Sequence, residues 1–385
     1  MMPVLRWVLL LLTASAFTYY LLAIFSARRF FARRRCAPCG PLPPVSVLKP
    51  LRGLDADCFE NLASFCHQNY PRYEILFCVS DPDEPVAGVI RRLQKEMPGV
   101  DLRLLVHRTP PGQNDKVAKL AFLARQARYP VLVVSDSDVR VAPDYLETVV
   151  APLTCESVGL VTCLYRGTRT ASFVAWLEAL GQASDFYPGL VVDWQLEGVK
   201  FALGSTMAIR ADVLRQIGGW EPQLRQVADD LLLGRRVAEA GYKVVLLPYA
   251  VSIVPDYQTL GQFLSKRLRW AVVMRHMRPW GHLGLGLTQG LTWSLLAGLA
   301  WGRVDMAAGL LLTYLALRAA MTWQTGVRGL GMTWLAGKLW MLPFWDALAT
   351  GIWLVSFLRR TIRWRGADYV LGPNAVISAV RPSSD

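Results

Sequence analysis

Four apolar stretches, one near the start of the chain and three near its end, constrain this sequence more than any other feature. They cover residues 4–25, about 283–301, 304–323 and 335–358. A helix needs about 20 apolar residues to cross a hydrocarbon core. Between them, about 43–280 has ordinary soluble composition and holds almost all the Asp and Glu, although the chain as a whole is 53% hydrophobic. The expected layout has three parts. Residues 1–42 form an N-terminal transmembrane anchor and basic linker. Residues 43–280 form a catalytic-sized domain ending in an interfacial helix. Residues 281–385 form a C-terminal transmembrane bundle with a basic tail.

The first stretch carries one early charge, Arg6, which can snorkel, and runs into Arg28, Arg29, Arg33, Arg34 and Arg35. A cleaved signal peptide has a shorter apolar run and a basic start, so a retained anchor is expected instead. The positive-inside rule then puts its C-terminal flank in the cytoplasm. The expectation is an integral membrane protein, in a bacterial inner membrane or its equivalent, with the middle domain facing the cytoplasm. The tail argues back: Arg359, Arg360, Arg363 and Arg365 ask for the same side, whereas three full late crossings would end on the other. Either one late segment is re-entrant or interfacial, or 335–358, with Pro343, Lys338 and Asp346 inside it, is not a simple span.

The formal charge of +13 is concentrated in those arginine clusters and in Lys266–Arg278. Anionic headgroups account for it better than nucleic acid, which is not an expected partner. The seven cysteines are scattered, and Cys36-Ala-Pro-Cys39 has no second pair. Free thiols in a reducing compartment are expected rather than zinc or a redox motif. His67, His107, His276 and His282 show no metal-ligand spacing.

The middle segment alternates strand and helix patterns. Strands are expected at Val45–Lys49, Tyr73–Val79, Leu102–His107 and in the run Val131–Val134, with helices near Val86–Glu96 and Lys116–Arg128. Val158–Tyr165 and Lys243–Leu247 are further strand candidates. This rhythm predicts an α/β fold around a mostly parallel, doubly wound sheet.

In such sheets ligands bind at the carboxyl ends of the strands. Asp136-Ser137-Asp138 stands there after Val131–Val134, offering hard oxygen ligands suited to Mg2+ or Mn2+ carrying phosphates. Asp81 follows the second strand, and Asp229-Asp230 opens a predicted helix. Each acid alone has a plain structural reading, as a turn residue or a helix cap. Their joint placement, with a basic cluster at 266–269, favours a site. Leu260–Arg278 mixes apolar and basic residues as an interfacial amphipathic helix does. Trp220, after Gly218-Gly219, reads equally as pocket lining or as core.

The ordered motifs KPLRG (Lys49–Gly53), YPRYEILFCVSD (Tyr70–Asp81), VVSDSDVRVAPDYL (Val133–Leu146), VGLVTCLYRG (Val158–Gly167), GSTMAIR (Gly204–Arg210), IGGW (Ile217–Trp220), ADDLLLG (Ala228–Gly234) and KRLRW (Lys266–Trp270) resemble ceramide glucosyltransferases. These sit within the family-2-like inverting glycosyltransferases of GT-A fold, and bacterial hopanoid-glycosylating relatives share most of the motifs. The resemblance covers roughly residues 43–280 and implies a UDP-sugar donor, a divalent cation and a membrane-lipid acceptor. It puts Asp81 at the nucleotide base and ribose, and Lys116 loosely near the nucleotide. Asp136 and Asp138 fall at the metal and diphosphate, although some ceramide-type members lack the second acid. Asp230 falls at the general base. Arg269 and Trp270 match the end of a (Q/R)xxRW motif, from which Lys266 departs.

The chemistry explains the residue types. Loss of a nucleoside diphosphate from an anomeric carbon builds negative charge on the phosphates, which a cation and Arg269 would stabilise. A carboxylate on the opposite face can take the proton of the attacking hydroxyl, and one base without a nucleophile implies inversion. Asp229 should push the pKa of Asp230 upward. The expected activity is transfer of a hexose, glucose first, from a UDP-sugar to a ceramide-type lipid. The alternatives are UDP-N-acetylglucosamine-dependent hopanoid glycosylation, a processive polysaccharide synthase, or a non-catalytic membrane protein keeping the fold.

Overall fold

The computed structural model describes residues 2–34, 37–168, 172–254, 259–364, 367–372 and 375–381. Arg35, Cys36 and Arg365 of the sequence reading lie outside them. The chain divides into two compact units. One gathers residues 1–33, 169–197 and 257–385, and the other residues 34–168 and 198–256. Residues 169–197, inside the segment expected to be one soluble domain, therefore group with the apolar helices.

The second unit is built on an eight-stranded sheet. Its strands are β1 (Val45–Pro50), β2 (Tyr73–Val79), β3 (Asp101–Val106), β4 (Val131–Val134), β5 (Val139–Arg140), β6 (Val158–Gly167), β7 (Met207–Arg210) and β8 (Lys243–Ile253), in the order β3-β2-β1-β4-β7-β6-β8-β5. β3, β2, β1 and β4 run parallel, as do β6 and β8, whereas β7 is antiparallel between β4 and β6. β1 and β4 are buried nearly throughout, which is why they read as continuous apolar runs. Register brings Leu48 of β1 opposite both Leu76 of β2 and Val134 of β4, so the carboxyl ends of these strands share one edge.

Helices cover the sheet where their periodicity allows. Pro85–Glu96 starts with proline in its first turn and buries Val86, Ala87, Ile90 and Leu93 at one-face spacing. Asp115–Gln126 is capped by Asn114, whose side chain accepts the Lys116 N–H. The core joins Leu48, Leu120, Val134, Ile209 and Leu233 with Trp220, which is almost fully buried. Trp220 is thus core and not pocket lining. At roughly 1.5–3 kcal/mol per large apolar side chain, this cluster outweighs any single polar contact near it.

Expected and observed elements agree for β1 to β4, β6 and the start of β8. β7, the two-residue β5 and a C-terminal antiparallel sheet of Thr361–Trp364, Ala367–Leu371 and Ile377–Arg381 were not expected. The expectation of free thiols throughout is corrected. Cys39 and Cys155 form a disulfide, while Cys58, Cys66, Cys78 and Cys163 are free and buried. The Cys39 N–H donates to Thr154 Oγ1 at 2.7 Å, seating Cys39 beside Cys155 with their Cα atoms 5.5 Å apart, within bridging reach.

In the first unit, three helices among the described residues are long and apolar enough to cross a membrane: Met2–Phe31, Val304–Gly329 and Thr333–Leu358. The remaining apolar stretch is not one straight helix. Pro279–Thr288 and Gly290–Trp301 meet at a 51° bend. Phe173–Gly181 and Tyr187–Leu196 flank a π-helical turn at Gln182–Phe186, and Leu260–Met277 begins with a capping box at Thr259 and Gln262.

Candidate active site

Three chain segments far apart in sequence meet at the carboxyl edge of the sheet. Asp136 lies two residues beyond β4, Lys116 lies in the first turn of the Asp115–Gln126 helix, and Asp229 and Asp230 open the Asp229–Glu239 helix. The Lys116 ammonium is 2.8 Å from Asp136 Oδ1 and 3.5 Å from Asp229 Oδ2. Asp230 is held from behind: the Gly204 N–H donates to Oδ2 at 2.9 Å and the Leu231 N–H to Oδ1 at 2.8 Å.

Backbone fit sets this geometry. A Cβ added to Gly204 would lie 3.1 Å from Lys116 Nζ and 3.3 Å from both Asp136 Oδ2 and Asp230 Oδ2. The residue sits between the three charges because it carries no side chain. A Cβ on Gly234 would fall 2.4–2.7 Å from the backbone of Phe201 and Ala202, so this helix packs directly on the loop that supplies the Gly204 N–H. Buried Asn114 ties the Lys116 end together, donating through Nδ2 to Gln226 O at 2.8 Å.

The charges bias one another. Burial, then the neighbouring Asp229 carboxylate, raises the pKa of Asp230 to about 6, against the pull of Lys116 and the Leu231 N–H. For Lys116, burial opposes the charge, but Asp136, Asp229 and Asp230 overcome it and hold its pKa above the ordinary value. Beneath them lies Lys49, fully buried, with Nζ donating to Asp136 O at 2.8 Å and lying 3.5 Å from the centre of the Phe65 ring. Burial lowers its pKa to about 7, with Asp136 and Asp138 opposing.

The other expected residues take distinct places. Asp81 lies beyond β2, which β1 separates from β4; its Oδ1 accepts the Asp83 N–H at 2.9 Å. Its neighbours Ser80 and Glu84 line a cleft of about 520 Å³ together with Arg52, Arg108, Thr109 and Asp115. Asp138 precedes β5, its carbonyl accepting the Val254 N–H at 2.9 Å. Arg269 and Trp270 belong to the first unit, on the Leu260–Met277 helix, where the Trp270 ring lies tilted 6.3 Å from Phe186 and Lys266 lies 5.0 Å from it.

Among the described residues no three His, Cys, Asp or Glu side chains form a cage for a metal. The Asp136 carboxylate is 38% exposed at the edge. This donor set fits a hard cation held by one or two carboxylates that completes its shell with substrate phosphates and water. Gly204 and Lys49 were missed as site residues. Gly204 stands inside the quoted GSTMAIR stretch, whose glycine was a usable signal, whereas nothing local announces that Lys49 is buried.

The family model of "Glycosyl transferase family 21" matches residues 8–377. The chain belongs to glycosyl transferase family 21. It is 28% identical over 243 residues to ceramide glucosyltransferase 3 of Caenorhabditis elegans, covering 62% of this chain and 52% of that protein. To the ceramide glucosyltransferase of Candida albicans it is 36% identical over 124 residues, 28% of this chain and 22% of that one. The chain thus spans about half the length of the Caenorhabditis relatives it matches. A solved structure titled as the mannosyltransferase PcManGT of Pyrobaculum calidifontis with GDP-Man and Mn2+ superposes with a TM-score of 0.55 at 21% identity, covering 91% of this chain and 99% of that one. The sheet is of GT-A type, as the resemblance implied, and mostly parallel, as the strand rhythm implied.

Proposed function

We propose that this family-21 chain is an inverting glycosyltransferase that moves a hexose, glucose first, from a UDP-sugar to the hydroxyl of a ceramide-type membrane lipid. The named ceramide glucosyltransferase relatives support the acceptor class. The observation that carries the reaction is Asp230, a carboxylate raised to about 6 and fixed by two backbone amides beside Asp136 and Lys116.

In this reading Asp230 accepts the proton of the attacking lipid hydroxyl, and its raised pKa makes it a stronger base than an ordinary aspartate. The Gly204 and Leu231 amides keep its oxygens from swinging towards Lys116. Asp136 and Asp138 would hold Mg2+ or Mn2+, which when bound neutralises charge on the departing diphosphate. Lys116 adds a fixed positive charge on the donor side. Asp81, beside the cleft, contacts the nucleotide, and Arg269, in the motif that ends at Trp270, is the cation that the resemblance assigns to the diphosphate. The Arg28–Arg29 flank favours the cytoplasmic side for the second unit, where nucleotide sugars are supplied, although its Cys39–Cys155 bridge is uncommon in a reducing compartment.

The test is an assay of membranes containing the chain against UDP-glucose, UDP-N-acetylglucosamine and GDP-mannose. Ceramide and a hydroxylated triterpenoid serve as acceptors, with products read by mass spectrometry. Hexosylceramide formed from UDP-glucose is the expected product. Long polymer, or product with the triterpenoid alone, would overturn the ceramide reading.

A further inference from the structure

Contacts within the first unit bear on the membrane path of its C-terminal helices, and the Met2–Phe31 helix serves as a ruler. At 1.5 Å per residue, Arg6 and Phe31 stand about 37 Å apart along it, slightly more than a hydrocarbon core. Near one end, Arg6 Nε donates to Ala300 O at 2.8 Å and Trp7 packs edge-on against Trp301 at 5.7 Å. Near the other, Phe30 and Arg33 lie 5.3 and 5.0 Å from Trp194. Between them, Ser15 Oγ and Tyr20 Oη donate to Leu287 O and Thr288 O, both at 3.0 Å.

The later helices can be read against these marks. Arg278 pairs with Asp193 at 2.9 Å, next to Trp194, so the bent pair starts at the Phe30 end. Its bend lies level with Ser15 and Tyr20, and it finishes beside Arg6. The bent pair therefore runs the length of the ruler, from its Phe30 end to Arg6. Val304–Gly329 comes back: Arg318 lies over the Tyr20 ring at 5.2 Å, and a Cβ on Gly329 would fall within 2.6 Å of the Phe31 ring.

Thr333–Leu358 starts just after that return, with the Met332 N–H donating to Gly326 O at 3.0 Å. It finishes where Arg275 Nη2 donates to Arg359 O at 2.7 Å, one helical turn from Arg278. Both of its ends therefore lie at the Phe31 end of the ruler. Its outward side shows Trp340, Phe344, Leu354 and Leu358 at one-face spacing, while Leu342, Trp345, Asp346 and Ser356 are buried on the other.

We propose that Thr333–Leu358, although long and apolar enough to span, enters and leaves at one membrane face and beds its Trp340–Leu358 stripe in a single leaflet. The chain then crosses three times, through Met2–Phe31, the bent pair and Val304–Gly329. Arg28, Arg29, Arg359 and Arg360 come to lie on the same side, which satisfies the positive-inside rule at both ends of the sequence. Asp346 needs no passage through the bilayer as part of a lone span, because its carboxylate meets Arg318 within the unit.

The experiment uses the full chain in sealed right-side-out and inverted vesicles, labelled with a membrane-impermeant maleimide. Single cysteines are placed at the exposed positions Thr333→Cys, Arg360→Cys and Arg303→Cys, with the unaltered chain as background. Thr333→Cys and Arg360→Cys should label at least tenfold more in the same vesicle orientation, and Arg303→Cys in the opposite one. Labelling of positions 333 and 360 from opposite sides overturns the proposal. If a variant fails to accumulate, a reporter enzyme active on one face only, fused after Asp385, decides independently. Activity on the side of the Arg28–Arg29 flank supports it, and activity on the other side refutes it. Neither readout depends on the sugar transferred or the lipid accepting it.

Discussion

Two charge clusters, one in each unit, set one cation among aspartates to opposite ends. In the second unit Lys116 faces Asp136, Asp229 and Asp230. In the first, Arg318 faces Asp346 and Asp185. The Arg318 guanidinium is spent: Nε and Nη2 reach Asp346 at 2.6–3.2 Å, Nη1 donates to Ser184 O, and Nη2 also reaches Asp185, both at 2.5 Å. Tyr314 Oη and the Trp345 indole donate to the two acids from the far side. Planar two-point pairing of this kind suits a fixed structural join. The Lys116 group is unfinished by comparison. One ammonium answers three carboxylates, and the Asp136 carboxylate opens towards solvent at the sheet edge. That open valence is what the proposed site has and the structural join lacks.

The largest contrast should come from two substitutions that each remove one member of a cluster. Asp230→Asn should lower the rate of transfer about 10²–10⁴-fold, the usual worth of a positioned base, while donor affinity measured by calorimetry changes less than threefold. Equal losses in both would turn the second-unit cluster into a structural one like its counterpart. Arg318→Leu should instead cost about 3–5 kcal/mol of stability by stranding Asp346, read as a lower unfolding temperature in detergent. If folding is untouched and only turnover falls, the contrast between the clusters is broken.

Smaller effects sharpen the same comparison. Gly234→Ala should cost about 1–3 kcal/mol, since its methyl group meets the backbone of Phe201 and Ala202, and should slow transfer by displacing the Gly204 amide from Asp230. Thermal unfolding and turnover measured on the same sample would separate the two losses. The smallest is a pH effect. If Asp230 is the base proposed above, it acts only when ionised, so with a pKa near 6 the kcat/KM should be flat above about pH 7 and fall about tenfold per unit well below 6. In Asp230→Asn the residual rate should lose that limb.

Local pattern carried much of the second unit. β1 to β4 were legible because each is a short apolar run bounded by turn residues, and their ends placed Asp81 and Asp136 on one edge. β7 was not, because Met207–Arg210 is four residues long and is a strand only through antiparallel neighbours contributed by β4 and β6. That Asp230 opens a helix was legible from the run of residues around it. Its amide cradle was not, since Gly204 lies 26 residues upstream and arrives by tertiary packing. Asp346 read as a flaw in an apolar run for the same reason: Arg318 is 28 residues away. The Cys39–Cys155 bond joins positions 116 residues apart, which no spacing rule discloses.

The first unit is assembled from pieces at both extremes of the sequence, and synthesis must contend with that. Tyr20 finds its hydrogen-bond acceptor, Thr288, 268 residues later. At about 5–20 residues per second, the ribosome needs roughly 13–54 s to make that stretch. Until then the Met2–Phe31 helix lacks the Thr288 and Ala300 carbonyls that answer its Tyr20 phenol and its Arg6 guanidinium. Ribosome pausing between codons 200 and 280 would lengthen this interval and should lower the yield of assembled protein without altering one residue of it.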